Sequence, residues 1–272
     1  MIYILTILAV MMAGLFALVR YLEFTGVFFP SRGLGLNPLV MGLAFEDVYF
    51  KTRDNVTLNG WFLKHPQALS TIIFAHGNAG NMGDRLFKIK FFYDLGLNVF
   101  IFDYRGYGKS HGKPSEAGIY LDAQGAYDYL QSQGRVNMKN IILYGASIGG
   151  VVVIDLATHR NAALLVVESS ITNSRDMVKI FYPFVPSFFL SLKFDSINKV
   201  RALKVPKLFI HSPDDEVVPY WVGQKLFEAA AEPKEFLEIH GGHNDSSITI
   251  DPPAAEEFMR ILKRNDLIFP PL

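Results

Sequence analysis

"IILYGASIGGVVVI", Ile141 to Ile154, places one serine between glycines with a solid apolar run on either side. The first run is β-branched and short, as in a buried strand, and the second continues at helical length. Gly145 to Gly149 matches G-x-S-x-G. At ordinary glycine and serine frequencies, chance supplies roughly 0.1 such matches in a chain of this length. A tight turn between small residues would explain the motif blandly. Its setting between a buried strand and a helix is what a nucleophile elbow requires, with Ser147 exposed on a strained turn.

Working outward, short apolar runs alternate with segments of helical length. The runs are "TIIFAHG", "NVFIFDY", "IILYG", "ALLVVES", "KLFIHS" and "EFLEIHG". Continuous runs of this kind suit strands covered on both faces of a parallel sheet. The spacers include Ser115–Gln133 and Tyr220–Ala231, and the alternation predicts a doubly wound α/β sheet. Upstream, "FEDVYFKT" and "VTLNGWFL" alternate apolar and polar residues around Arg53-Asp54-Asn55, the signature of an antiparallel hairpin. Between "ALLVVESS" and "KLFIHS" the connection is too long for one crossover helix, and Pro183 and Pro186 interrupt it. It reads as a small inserted cap, about 171–204, whose aromatic segment Phe181–Phe194 would shape an apolar acyl pocket. The plainer alternative is a long crossover whose aromatics join the core.

The N-terminal stretch differs in kind. Ile2 to Val19 carries no charged residue before Arg20, and as a helix it would be about 27 Å long, close to the thickness of a bilayer core. No basic n-region precedes it and no convincing cleavage site follows, so an uncleaved anchor is expected rather than a signal peptide. The expected division is a transmembrane anchor over 1–22, a Gly/Pro-rich linker over 23–42 containing "PSRGLGLNP", and a catalytic domain over 43–272. Residues 2–19 would meet the lipid bilayer. Arg20 and Arg32 on the C-terminal flank favour a single-pass membrane protein with its soluble part on the cytoplasmic side.

Lysine plus arginine and aspartate plus glutamate both number 26, so no basic surplus points to a nucleic-acid partner. The chain has no cysteine, which excludes disulfides, thiol catalysis and cysteine-bound metals. "HGGHND" lacks the H-E-x-x-H spacing, and "HGNAGN" matches neither the Walker pattern nor G-x-G-x-x-G. No metal and no cofactor are expected.

A serine hydroxyl needs a base to remove its proton. With an elbow on such a sheet, the acid and then the histidine should follow Ser147 in loops after later strands. His211, His240 and His243 follow at strand ends. His211 comes too early and His240 closes its strand, whereas His243 lies past two glycines and can reach back. The acid belongs to "HSPDDEVVP", where Asp214, Asp215 and Glu216 are all eligible by spacing. An oxyanion site would use the N–H of Ile148 and one from "FAHGNAGN", at Asn78. Asp103 and Arg105 in "FDYRGYGKS" precede the serine and read as structural.

With "HGNAGN", "DYRGYGKS", "YGASIGG", "DDEVVP" and "GGHND" in this order, the chain resembles the α/β-hydrolase superfamily. More narrowly it is similar to the membrane-anchored, bud-emergence-suppressor-like branch related to acyl-protein depalmitoylases. The resemblance covers roughly Phe45 to Lys263. It implies that the acid sits in a D-E-x-V-P segment, hence Asp215, with Ser147 as nucleophile and His243 as base. It also implies a serine hydrolase acting on an ester or thioester, with an acyl substrate of apolar character. The alternatives are an amidase or peptidase with the same residues, and a catalytically idle interaction module on the same fold.

Overall fold

Alternate residues of the strand Thr71–Ala75 enter two different cores. Ile72 and Phe74 pack on one side of the sheet, and Ile73 and Ala75 on the other, because successive side chains of a strand point to opposite faces. None of these residues is more than 1% exposed. The computed structural model describes residues 2–244 and 248–269. The eight sheet strands are β1 Glu46–Lys51, β2 Thr57–Leu63, β3 Thr71–Ala75, β4 Asn98–Phe102, β5 Ile141–Ala146, β6 Leu164–Glu168, β7 Lys207–His211 and β8 Lys234–Glu238. Their spatial order is β8-β7-β6-β5-β3-β4-β2-β1. β1 and β2 form the expected antiparallel hairpin, and β2 also runs antiparallel to β4. The other neighbours pair in parallel.

The helices are α1 Ile2–Gly26, α2 Leu86–Asp94, α3 Glu116–Gln133, α4 Ile148–Ala157, α5 Ser174–Phe181, α6 Ser196–Val200, α7 Tyr220–Ala229 and α8 Pro252–Arg264. Side chains of α3, α4, α6 and α7 join Ile73 in one core, while those of α2 and α8 join Phe74 in the other. Helices on both faces make the sheet doubly wound. In α4, Val151 to Ile154 have no exposed surface. Complete burial of such a side chain contributes about 1.5–3 kcal/mol, so this central helix is held firmly on the sheet. Ser115 caps α3 by accepting from the Gly118 amide, and α7 stops at Ala229, two residues short of the expected end.

Between β6 and β7 the chain forms α5, a 3-10 turn at Ser187–Phe189 and α6 in place of one crossover helix. The N-terminal helix is long and apolar enough for a membrane anchor or a signal sequence: Ile2–Glu23 has mean hydropathy 2.6 and is 6% buried. The stretch expected as a linker is tied to the body of the protein. Phe29 and Pro30 pair with Ala79 and Gly80, Asn81 Nδ2 donates to the Gly33 carbonyl at 2.7 Å, and Arg32 Nη1 donates to the Ser110 carbonyl at 2.8 Å.

Candidate active site

The turn from β5 into α4 leaves no room for side chains beside the serine. A Cβ on Gly145 would fall on the Gly149 backbone, and one on Gly149 would fall on the carbonyl oxygen of Ala75 in β3. Ser147 between them adopts φ 54° and ψ −121°, outside the regions an L-residue prefers. Neighbours hold it there. Its N–H donates to the Glu168 carbonyl at 2.8 Å, and its own carbonyl accepts from Ser170 Oγ at 2.8 Å. The elbow is thus fastened to the end of β6.

His243 Nε2 lies 3.1 Å from Ser147 Oγ, and His243 Nδ1 lies 2.8 Å from Asp215 Oδ2. An ionised carboxylate only accepts, so Nδ1 carries the proton and leaves Nε2 free to accept from the serine hydroxyl. Asp215 Oδ1 accepts the Val217 and Val218 amides at 2.9 and 2.7 Å. Burial alone would raise its pKa, but hydrogen bonds from His211, His243 and the Val218 amide together hold the carboxyl well below the usual range. The two neighbouring acids are also engaged. Glu216 accepts the His243 amide at 2.9 Å, and Asp214 accepts the Gly241 amide at 3.5 Å. All three carboxylates therefore position the histidine loop, and Asp215 alone meets the imidazole.

The other histidines sit elsewhere. His211 is buried, with Nε2 2.8 Å from the Val218 carbonyl and 3.4 Å from Asp215 Oδ2, so it braces the acid. His240 lies two residues beyond β8 and is exposed. Asp245, the last residue of "GGHND", lies outside the described residues.

Gly77 and Asn78 lie beside the elbow; a Cβ on Gly77 would be 3.7 Å from that of Ser147. The Asn78 carbonyl accepts from the Phe29 amide at 3.0 Å and from Tyr107 OH at 2.6 Å, while its Nδ2 donates to the Val27 carbonyl at 3.0 Å. Ile148 opens α4, where a first-turn N–H has no intrahelical partner. Asp103 and Arg105 serve the surrounding scaffold: Asp103 accepts the Met82 amide at 2.8 Å, and Arg105 pairs with Asp54 and Asp122.

A cleft of about 230 Å³ adjoins Ser147 and His243, with Asn78, Arg85, Lys88 and Ser169 among its walls. Lys88 Nζ is 2.6 Å from Glu168 Oε1, and Tyr144 OH donates to the other Glu168 oxygen. Ser169, buried at φ 47°, has a hydroxyl with no hydrogen-bond partner among the described residues. The reading of the sequence passed over these residues; the signal was Glu168, a charged residue closing an apolar run. No residue of Phe181–Phe194 lines this cleft. That segment lies against α1 instead, with the rings of Phe16 and Phe189 6.3 Å apart. Among the described residues, no cluster of three or more histidine and acidic side chains could hold a metal ion.

The comparisons with known proteins agree on one family. The family model described as "Serine aminopeptidase, S33" matches residues 66–194. An uncharacterized protein of Mycobacterium tuberculosis is 33% identical over 249 residues, 90% of this chain and 89% of that one. Protein bem46 of Schizosaccharomyces pombe is 38% identical over 192 residues, 67% of this chain and 64% of its own. The Pyrococcus furiosus esterase Pf2001 shares the fold, with a TM-score of 0.73 and 24% identity over 87% of this chain and 98% of that one. With its elbow, its strand order and relatives that match over most of their length, the chain belongs to the α/β-hydrolase superfamily, in the branch related to bem46.

Proposed function

We propose that the protein is a membrane-anchored serine hydrolase that cleaves carboxylic esters or thioesters through an acyl-enzyme. The observation that carries this reading is the hydrogen-bonded run from Ser147 Oγ through the His243 imidazole to Asp215, at 3.1 and 2.8 Å. Ser147 Oγ attacks the carbonyl carbon while its proton passes to His243 Nε2, and Asp215 stabilises the imidazolium. The N–H groups of Asn78 and Ile148 hold the developing oxyanion, where one donor is worth about 3 kcal/mol. The imidazolium then protonates the leaving group. Water, activated by the same histidine, releases the acid and restores the serine.

The cleft supports a short acyl chain. It is smaller than the roughly 300–1,000 Å³ of sites for drug-sized ligands, and among the described residues Phe74, Ala79, Phe87 and Ala146 give it its apolar walls. The family description and the shared residues keep an amidase or aminopeptidase as the second reading. An aminopeptidase needs a carboxylate free for the substrate amine, whereas of the two carboxylates that line this cleft among the described residues Glu168 is bonded to Lys88 and Tyr144 and Asp84 accepts the Asn81 amide. The intact hydrogen-bonded run argues against an idle module. For the chain as a whole, residues 1–22 act as a single-pass anchor with the remainder on the cytoplasmic side that Arg20 and Arg32 favour. Residues 43–272 form the hydrolase domain, and 171–204 are its insertion.

The test is covalent labelling of the detergent-solubilised protein with a fluorophosphonate. Wild type should label, and Ser147→Ala and His243→Ala should not. p-Nitrophenyl acetate and butyrate should be hydrolysed faster than the palmitate. Faster release of p-nitroaniline from an aminoacyl anilide would favour the peptidase reading. Absence of labelling in folded wild type would sink the proposed chemistry.

A further inference from the structure

The insertion between β6 and β7 presents large apolar side chains that the described residues leave about half exposed or more. Phe184 is 96% exposed and Phe188 74%, with Phe181 and Tyr182 about half exposed. Two carboxylates fix where this segment lies. Glu23, near the C-terminal end of α1, accepts from Ser191 N at 2.8 Å, Ser191 Oγ at 2.7 Å and Leu192 N at 3.0 Å. Glu116, at the start of α3, accepts from the amides of Lys193 and Phe194 at 2.6 and 2.7 Å. Val19 of α1 is buried, and Phe189 meets Phe16 ring to ring.

These contacts set a depth. Phe16 precedes Glu23 by seven residues, about 10 Å along a helix. If α1 crosses a bilayer with Glu23 at the polar boundary, Phe16 lies in the hydrocarbon and Phe189 lies beside it. Phe188 lies against Phe189, with centroids 4.2 Å apart and planes inclined at 38°, which puts the exposed Phe188 in the same layer, a few residues from Phe184. Aromatic side chains favour this layer, where a ring meets acyl chains and its edge meets headgroups. Arg175, Lys179 and Lys193 are exposed on the same insertion, placed to meet anionic headgroups.

We infer that Phe181–Phe189 is a second membrane-contacting element, immersed at the headgroup–acyl boundary in the leaflet that holds the C-terminal half of α1. This rests on the reading of α1 as an anchor. The insertion is thus a foot by which the catalytic body stands on the lipid surface, and the Glu23 clamp fixes its position relative to the anchor.

The chain contains no cysteine, so single-cysteine variants of the full-length protein can each carry one environment-sensitive fluorophore. Phe184→Cys, Met11→Cys on α1 and Glu228→Cys on α7 would be reconstituted in phosphatidylcholine–phosphatidylserine vesicles with spin-labelled quencher lipids. Quenching of at least twofold is expected at positions 11 and 184, with position 184 responding more to the shallow quencher and position 228 to neither. If position 11 is quenched while position 184 behaves like 228, the inference is overturned and the anchor stands. A label at 184 shielded from aqueous iodide yet untouched by quencher lipids would mean a protein partner covers the surface, which also overturns it. If position 11 is not quenched, the anchor reading fails and the inference falls with it.

Discussion

The carbonyl oxygen of Asn78 accepts a hydrogen bond from the backbone N–H of Phe29 at 3.0 Å. A residue just past the N-terminal helix thereby holds the peptide unit that follows the Asn78 N–H proposed to bind the oxyanion, and so fixes Asn78 from its C-terminal side. Tyr107 OH supplies a second donor to the same oxygen at 2.6 Å. Donors that fix a peptide in advance matter to catalysis because the oxyanion site must be in place before charge develops.

Replacing Tyr107 with phenylalanine keeps the buried ring and removes one of these two donors. The expected result is a fall in kcat of about tenfold, or ~1.4 kcal/mol, with little change in KM. Steady-state hydrolysis of p-nitrophenyl butyrate measures both. A rise in KM at constant kcat would place Tyr107 in substrate binding instead.

Asp215→Asn should be far more damaging than its size suggests. The amide oxygen of the new residue will face the Val217 and Val218 amides, which now donate to Oδ1. Its NH₂ group then faces His243 Nδ1, stabilising the tautomer with the proton on Nε2. That nitrogen can no longer accept from Ser147. A loss in kcat of about 10⁴-fold is expected, with the thermal midpoint changed far less. Activity within tenfold of wild type would remove Asp215 from its proposed role.

Acid should weaken the fold in a defined window. Hydrogen bonds from the Arg105 guanidinium bring the Asp54 carboxyl down to about 2, against the opposing effect of burial, and Asp215 is lowered as well. A carboxyl with a depressed pKa binds fewer protons folded than unfolded, so its contribution is complete above about pH 4 and is lost as pH falls toward 2. Asp54 is 40% exposed, so solvent screening limits its share to about 1 kcal/mol. Urea midpoints between pH 2 and 4 should fall with decreasing pH, and Asp54→Asn should flatten part of that slope; Asp122, whose pKa burial raises to about 6, acts with the opposite sign and only between about pH 6 and 4. A flat wild-type profile would contradict the assignment.

Much of the fold was legible because burial on both faces writes itself into a strand as a solid run, as in "TIIFA" and "ALLVVE". Strand order was not, because pairing of β3 between β5 and β4 is a long-range choice with no local mark. Among the acids, Asp214, Asp215 and Glu216 could not be separated by spacing, and in the structure all three reach the histidine loop. The hold of Val27 and Phe29 on Asn78 uses backbone groups at both Val27 and Phe29, which every residue type can supply. The aromatic insertion pointed to an acyl pocket because its length and prolines read as a cap over the site. Its place beside α1 depends on Glu23, whose partner Ser191 is 168 residues away.

The backbone of Ser147 gives the molecule a reserve of stability that it does not use. Only glycine adopts φ 54° with ψ −121° without penalty, and a side chain there costs about 1–3 kcal/mol. Ser147→Ala keeps that penalty while removing the hydroxyl, whereas Ser147→Gly removes both. After the extra freedom glycine gains when unfolded, the glycine variant should melt a few degrees above the alanine variant, and both should be inactive if Ser147 is the nucleophile proposed. On the role proposed for Ser147, reactivity and durability compete at a single residue, and serine at this position favours chemistry over stability.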